Sequence, residues 1–238
     1  MDAAIDLSDA SKALDLANIR FQLIRLEDTI IFHLIERVQF PLNQTIHVAC
    51  GVDIGEPTTS LFDWMLREQE RLQSLEPILK PLHYPQILHP NTVNVNAQLK
   101  DCYIKHILPA ACMQTDRGES QENYGSSATC DVMTIQSLSR RIHFGKFVAE
   151  AKFQQEMDRS VKLIKDEDRK GIDEAITNAA VEKKVLERLK LKAKTYATDP
   201  DLGANESSKV NADAVVVMYK DWVIPRTKEV EVEYLMQR

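Results

Sequence analysis

Apolar positions recur along this chain with the period of a helix face. Leu16, Ile19, Leu23, Leu26 and Ile30 follow one another at steps of three and four, which predicts a long amphipathic helix from Ser8 to Val38. Ser8 and Asp9 are suitable caps, and Phe40-Pro41 ends the run. A second helix is expected over Leu61–Leu75, and another over Val95–Ala111. Between them Pro77, Pro81, Pro85 and Pro90 punctuate an extended connector. Gln114–Ser127 is polar, contains Gly118 and Gly125, and reads as a loop. Long helices are then predicted over Asp131–Glu156 and Ile172–Ala197, with a Pro/Gly/Ser-containing linker over Thr198–Ser208. Ala212 to the C-terminus closes the chain, and Pro225 should kink or break a helix there. The string KEVEVEYL alternates like a strand, but no other segment offers it a β partner, so it is read as helix. The expectation is one all-α, single-domain multi-helix bundle over 1–238, with loops near 39–58, 76–94, 114–128 and 198–209.

Composition narrows the class. With 238 residues the chain can bury a sizeable core, and 44% hydrophobic with 28% charged residues is ordinary for a globular protein. A net charge of −6 argues against nucleic acid as the main partner. Seven glycines disfavour a Gly-rich nucleotide fold. Cys50, Cys102, Cys112 and Cys130 form no CxxC pair and read as reduced thiols. The acidic N-terminus lacks a secretory apolar core, and no apolar run reaches the roughly 18 residues of a membrane span. These features place the protein in the cytoplasm, away from membranes.

Polar residues stand where an apolar stripe should run. Leu138, Arg141, Gly145, Val148 and Lys152 share one face of the predicted Asp131–Glu156 helix. Arg141 and Lys152 are eleven residues apart, about three turns, and project from nearly the same side. A mid-helix glycine costs roughly 1 kcal/mol against alanine, so Gly145 should leave space for a ligand or a closely packed helix. Asn178 and Glu182 interrupt the stripe Ala175–Val185–Leu189, and Thr227 and Glu231 interrupt Ile224–Tyr234. Arg20 adjoins the stripe of the first helix. Each residue alone is more often a satisfied structural pair or a snorkelling side chain. Four helices offering three cations, two acids, an amide and a hydroxyl to one interior instead describe a polar pocket inside a bundle. That set suits a small dianion carrying a hydroxyl.

Other motifs are silent. His33, His47, His83, His89, His106 and His143 lack metal-ligand spacing, and His143 reads as structural. There is neither a GxGxxG nor a GxxxxGK[ST] loop, and no residue set has metal-ligand spacing, so no metal site is expected. The basic run Lys183–Lys194 is interleaved with Glu187 and reads as a solvated helix face.

The strings SLSRRIHFGKFVAEAKF (Ser137–Phe153), NIRFQLIRLEDTIIFHLIER (Asn18–Arg37), ITNAAVEKKVLERL and IPRTKEVEVEYL together resemble the fungal-type, all-helical chorismate mutases, in order and over nearly the whole chain. The resemblance implies a homodimeric isomerase that rearranges chorismate to prephenate, in phenylalanine and tyrosine biosynthesis, without a cofactor. It also implies roles. Arg20 and Arg141 would hold the two substrate carboxylates, helped by Thr227. Lys152 would donate to the breaking ether oxygen and a neighbouring carboxylate. Glu182 would bind the ring hydroxyl, with Asn178 beside it, and a protonated Glu231 would reach the ether oxygen from the other side.

Members of that family usually bind tryptophan as activator and tyrosine as inhibitor at the dimer interface. One part of that site corresponds to the loop NYGSSAT, with Gly125, Ser126 and Thr129. The other part, an arginine-rich helix end followed by an aromatic, proline-rich stretch, is missing: ERLQS runs directly into LEPILKPLHYPQIL. Arg67 and Arg71 remain, but neither matches the effector-binding arginines. The expectation is an active mutase with an impaired effector response. The alternative is a catalytically weak, helical dimerising or regulatory homologue.

Overall fold

The computed structural model describes residues 9–75, 85–112, 118–196, 198 and 210–238. All regular structure among them is helical, and KEVEVEYL is helix. Ser8, Pro77, Pro81, residues 114–117 and nearly all of the Thr198–Ser208 linker lie outside the described residues, and the loop expected over 114–128 is helical from Tyr124 onward.

The first predicted helix divides in two. A short α1 (Ala10–Ala13) is capped by Asp9, and α2 (Leu16–Arg37) restarts on Asp15, whose carboxylate accepts from the Asn18 N–H at 2.9 Å. After a 3₁₀ turn at Gln44–His47, α3 (Leu61–Gln73) opens on a capping exchange between Ser60 and Asp63. Then come α4 (Asn96–Cys102), a π turn (Tyr103–Ile107) and α5 (Leu108–Cys112).

The expected Asp131–Glu156 helix starts earlier and is interrupted. α6 runs Tyr124–His143 and α7 runs Gly145–Gln155, joined through Phe144. α8 (Met157–Lys165), which the periodicity does not announce, precedes α9 (Arg169–Ile176). The expected Ile172–Ala197 helix also breaks, because Thr177 is extended and the Asn178 side chain accepts from the Val181 N–H at 3.1 Å. Asn178 therefore caps α10 (Ala179–Tyr196) rather than interrupting a continuous stripe.

The last segment is α11 (Ala212–Met218), a π turn (Tyr219–Val223) and α12 (Ile224–Met236). Pro225 neither breaks nor ends this run. It sits two residues beyond the π turn, as Pro109 sits two residues beyond the earlier one. A widened turn re-routes the carbonyl that the proline ring would strike, so the helix continues past it.

The core lies along α2 against α6, α7 against α12, and α10 against α11, with α3 on α6 and α9 on α12. Glu27, fully buried on α2, takes two hydrogen bonds from Arg188 of α10 at 2.8 and 2.7 Å, with Lys192 3.5 Å away. Part of the basic run Lys183–Lys194 thus fastens α10 to α2 instead of facing solvent alone. His143 is structural: Nε2 accepts from the Val95 N–H at 3.2 Å, so Nδ1–H donates to the Ser139 carbonyl at 2.9 Å. The four cysteines are free thiols, and no helix is long and apolar enough to cross a membrane among the described residues.

Candidate active site

The first turns of α2, the α6–α7 junction, the start of α10 and the middle of α12 enclose a cavity of ≈ 160 Å³. All seven residues singled out by charge and pattern line it: Arg20, Arg141, Lys152, Asn178, Glu182, Thr227 and Glu231. Leu23, Val148, Val181 and Val185 supply apolar walls. A second chamber of ≈ 230 Å³ adjoins it, sharing Leu16, Arg20, Lys152, Ile176 and Asn178.

Gly145 explains why α12 can reach this space. A Cβ there would lie 2.9 Å from Thr227 Cγ2 and 3.1 Å from Glu231 Cγ. The glycine admits a closely packed helix, and that helix carries two of the pocket's polar groups.

The charges are set for a guest. Arg141 is 6% exposed, and its Nε and Nη1 have no hydrogen-bond partner among the described residues. Buried guanidinium donors left unpaired are costly, and a carboxylate entering the cavity would satisfy such a donor with a charge-assisted hydrogen bond. Arg20 is exposed at the mouth. Lys152 Nζ donates to the Ile176 carbonyl; burial lowers its pKa, against the pull of Glu231 and with the push of Arg20. Burial raises Glu231 to about 7, although Lys152, Arg141 and Lys228 oppose the shift and Asp173 adds to it. Thr227 Oγ1 donates to the Val223 carbonyl at 2.7 Å, so its lone pairs face away from its own helix bond.

One charged lining residue escaped the sequence reading. Lys228 holds Glu182 Oε1 at 2.8 Å across the cavity. It stands one turn before Glu231 on α12, which was the only available signal.

The suggested effector residues lie elsewhere. Gly125, Ser126 and Thr129 are exposed in the first turns of α6, about 18–24 Å along the helix axis from Arg141. Arg67 is engaged by Glu56 at 2.7 Å and Arg71 by Glu68 at 2.8 Å.

An all-helical bundle whose pocket is lined by a buried arginine with unpaired donors, a lysine and an acid raised toward neutrality has the build of an enzyme for a small anion. Comparison with known proteins makes this specific. Residues 123–232 match the family described as chorismate mutase type II. The chain is 63% identical to the chorismate mutase of Emericella nidulans over 260 aligned positions, covering 100% of this chain and 97% of that one. The crystal structure of Aro7p chorismate mutase from Candida albicans, in complex with L-Trp, matches with a TM-score of 0.91 at 41% identity, covering 99% and 95% of the two chains. AtCM1 with tyrosine bound in its allosteric site matches with a TM-score of 0.83 at 34% identity, covering 97% and 98%. The chain belongs to the chorismate mutase family, and its fungal-type members are isomerases of this all-α build.

Proposed function

We propose that residues 1–238 work as one homodimeric chorismate mutase domain in the cytoplasm, and that the α2–α6–α7–α10–α12 pocket performs the rearrangement. The observation that carries this reading is the unpaired Arg141 beside Lys152 and Glu231 in one partly closed cavity.

The chemistry asks little of the protein. In chorismate one ether C–O bond breaks while one C–C bond forms within the same molecule, so nothing is added or lost. What limits the rate is reaching a folded-over conformer and sheltering charge that builds on the ether oxygen. Arg141 and Arg20, with Thr227, clamp the two carboxylates and impose the compact conformer. Lys152 approaches the ether oxygen from α7, and protonated Glu231 approaches it from α12. Lys228 orients the Glu182 carboxylate toward the ring hydroxyl, beside Asn178.

Glu231 can donate only as the neutral acid, and burial near pH 7 keeps it in that form through mildly acidic conditions. Turnover should therefore fall as pH rises through about 7. The test is loss of chorismate absorbance with purified protein, followed by identification of prephenate. Rapid conversion supports the reading; a folded protein without turnover supports the regulatory-homologue alternative.

Effector control is the finer part of the proposal. The Emericella alignment has 260 positions against 238 residues here, so at least 22 positions lack a counterpart in this chain. That deficit agrees with the arginine-rich stretch absent after ERLQS, and both Arg67 and Arg71 are already paired with glutamates. Tryptophan and tyrosine, should they bind, act weakly here.

A further inference from the structure

The two helices that carry Lys152 and Glu231 are fastened to each other a second time, behind the pocket. Glu150 lies on α7 two residues before Lys152 and is 1% exposed. Its Oε2 accepts from the Tyr234 hydroxyl and from Arg238 Nη1, both at 2.6 Å, and its Oε1 accepts from Gln154 Nε2 at 3.0 Å. Tyr234 stands on α12 three residues after Glu231, and its oxygen also accepts from the His89 N–H at 2.9 Å. The Arg238 guanidinium sits 3.9 Å over the Phe153 ring, and Phe153 lines the chamber adjoining the pocket.

Glu150 touches neither chamber, so its charge is not spent on a ligand. A carboxylate this deeply buried is tolerated only when hydrogen-bonded and paired, and here it is both. The packing of α7 on α12 is close at the Gly145 end, where Thr227 and Glu231 meet it. Apolar packing is tolerant of small rotations and slides of one helix on another, and a charged, directional contact at the other end is not. Misplacing a reacting group by about 1 Å costs on the order of 100-fold in rate.

We propose that Glu150, Tyr234 and Arg238 are positioning residues: their buried clasp fixes the height and rotation of α12 on α7, and so holds Glu231 and Lys152 at the separation that brackets the breaking C–O bond. This rests on the assignment of Lys152 and Glu231 to the ether oxygen.

The experiment is steady-state kinetics with chorismate from about pH 5 to about pH 9, on Arg238→Ala, Arg238→Lys and Tyr234→Phe, with melting curves run in parallel. Arg238→Ala should lower kcat by about 10- to 100-fold with KM changed less than about threefold. It should also move the alkaline limb, because Glu231 is faced by Lys152 from α7, Arg141 from α6, Asp173 from α9 and Lys228 on its own helix, and a shift of α12 alters those separations. Arg238→Lys, which keeps a cation near Glu150, should recover most of kcat. Tyr234→Phe deletes one hydroxyl and carries the same reading if Arg238→Ala does not fold. A lower melting temperature with parental kcat and an unmoved limb in both Arg238→Ala and Tyr234→Phe overturns the clasp. Glu231→Gln separates the two ideas. If its pH profile matches the parent, the Glu231 assignment fails and the clasp's purpose with it. If its alkaline limb disappears, the Arg238 and Tyr234 variants judge the clasp alone.

Discussion

Two buried arginines stand near helix ends in this molecule, and they live in opposite surroundings. Arg37, the last residue of α2, is 0% exposed; its Nε donates to Asp131 at 2.6 Å, Nη1 to the Pro41 carbonyl at 2.9 Å and Nη2 to the Leu42 carbonyl at 2.8 Å. Tyr103 and His47 complete the shell of Asp131 at 2.6 and 3.0 Å. Arg141, near the end of α6, is almost as buried, yet two of its nitrogens have no partner among the described residues. A saturated buried charge locks chain segments together, whereas an unsaturated one is held ready for something that arrives from outside.

Substitutions at the two sites should therefore fail differently. Arg141→Ala is expected to reduce kcat/KM by about 10³ or more, as loss of a preorganised charge donor does, with a melting temperature close to the parent. Arg37→Ala should do the reverse. It strands Asp131 in the interior and costs on the order of 3–5 kcal/mol of stability, while turnover per folded molecule stays within about twofold of the parent. Comparable losses of activity at both sites, or a collapse of Arg141→Ala on heating, would break the contrast.

Glu231 sharpens it further. Its carboxyl is raised from 4.5 to about 7 in the folded protein. The native state then binds more protons than the unfolded chain between those values. Its contribution to stability is complete below about 4.5, declines as pH rises, and is gone above about 7. Glu231→Gln should remove that decline, at most about 1.4 kcal/mol per pH unit, and abolish the alkaline fall in turnover. Denaturant titrations at several pH values check the first effect and rate profiles the second.

Gly145→Ala should have a smaller effect. The added Cβ would crowd Thr227 and Glu231 at 2.9 and 3.1 Å, so α12 must give way; about tenfold in kcat with a stability loss near 1 kcal/mol is expected. The smallest effect should come from tryptophan and tyrosine added to the assay. Turnover should change less than about twofold, because the proposed effector residues Gly125, Ser126 and Thr129, exposed on the first turns of α6, would lack an arginine complement. A normal activation by tryptophan would contradict that account.

Much of the pocket was legible because Arg141, Lys152, Glu182 and Glu231 interrupt apolar stripes and Arg20 adjoins one, and helical periodicity makes such positions visible. Asn178 was picked for an incomplete reason: it sits at the pocket, but as the cap of α10, and capping ends a helix that periodicity alone extends. Lys228 was missed because it stands beside the stripe and reaches back across it. The break at Phe144 falls directly before Gly145, the mid-helix glycine that the sequence singles out, though periodicity alone runs the helix through it. The clasp at Glu150 and the Arg37–Asp131 pair were likewise invisible, since their partners lie 84 and 94 residues away in sequence. Pro225 predicts a kink or break, but the π turn before it absorbs the proline and the helix continues.

The most direct test of the central claim is whether product binding depends on the unpaired arginine. Thermal melting of the parent, Arg37→Ala and Arg141→Ala would be followed with increasing prephenate, which stabilises only a fold that binds it. The account predicts a saturable rise in melting temperature for the parent and for Arg37→Ala, each from its own baseline, and none for Arg141→Ala. An equal rise in all three would show that the unsatisfied charge is not where the ligand goes.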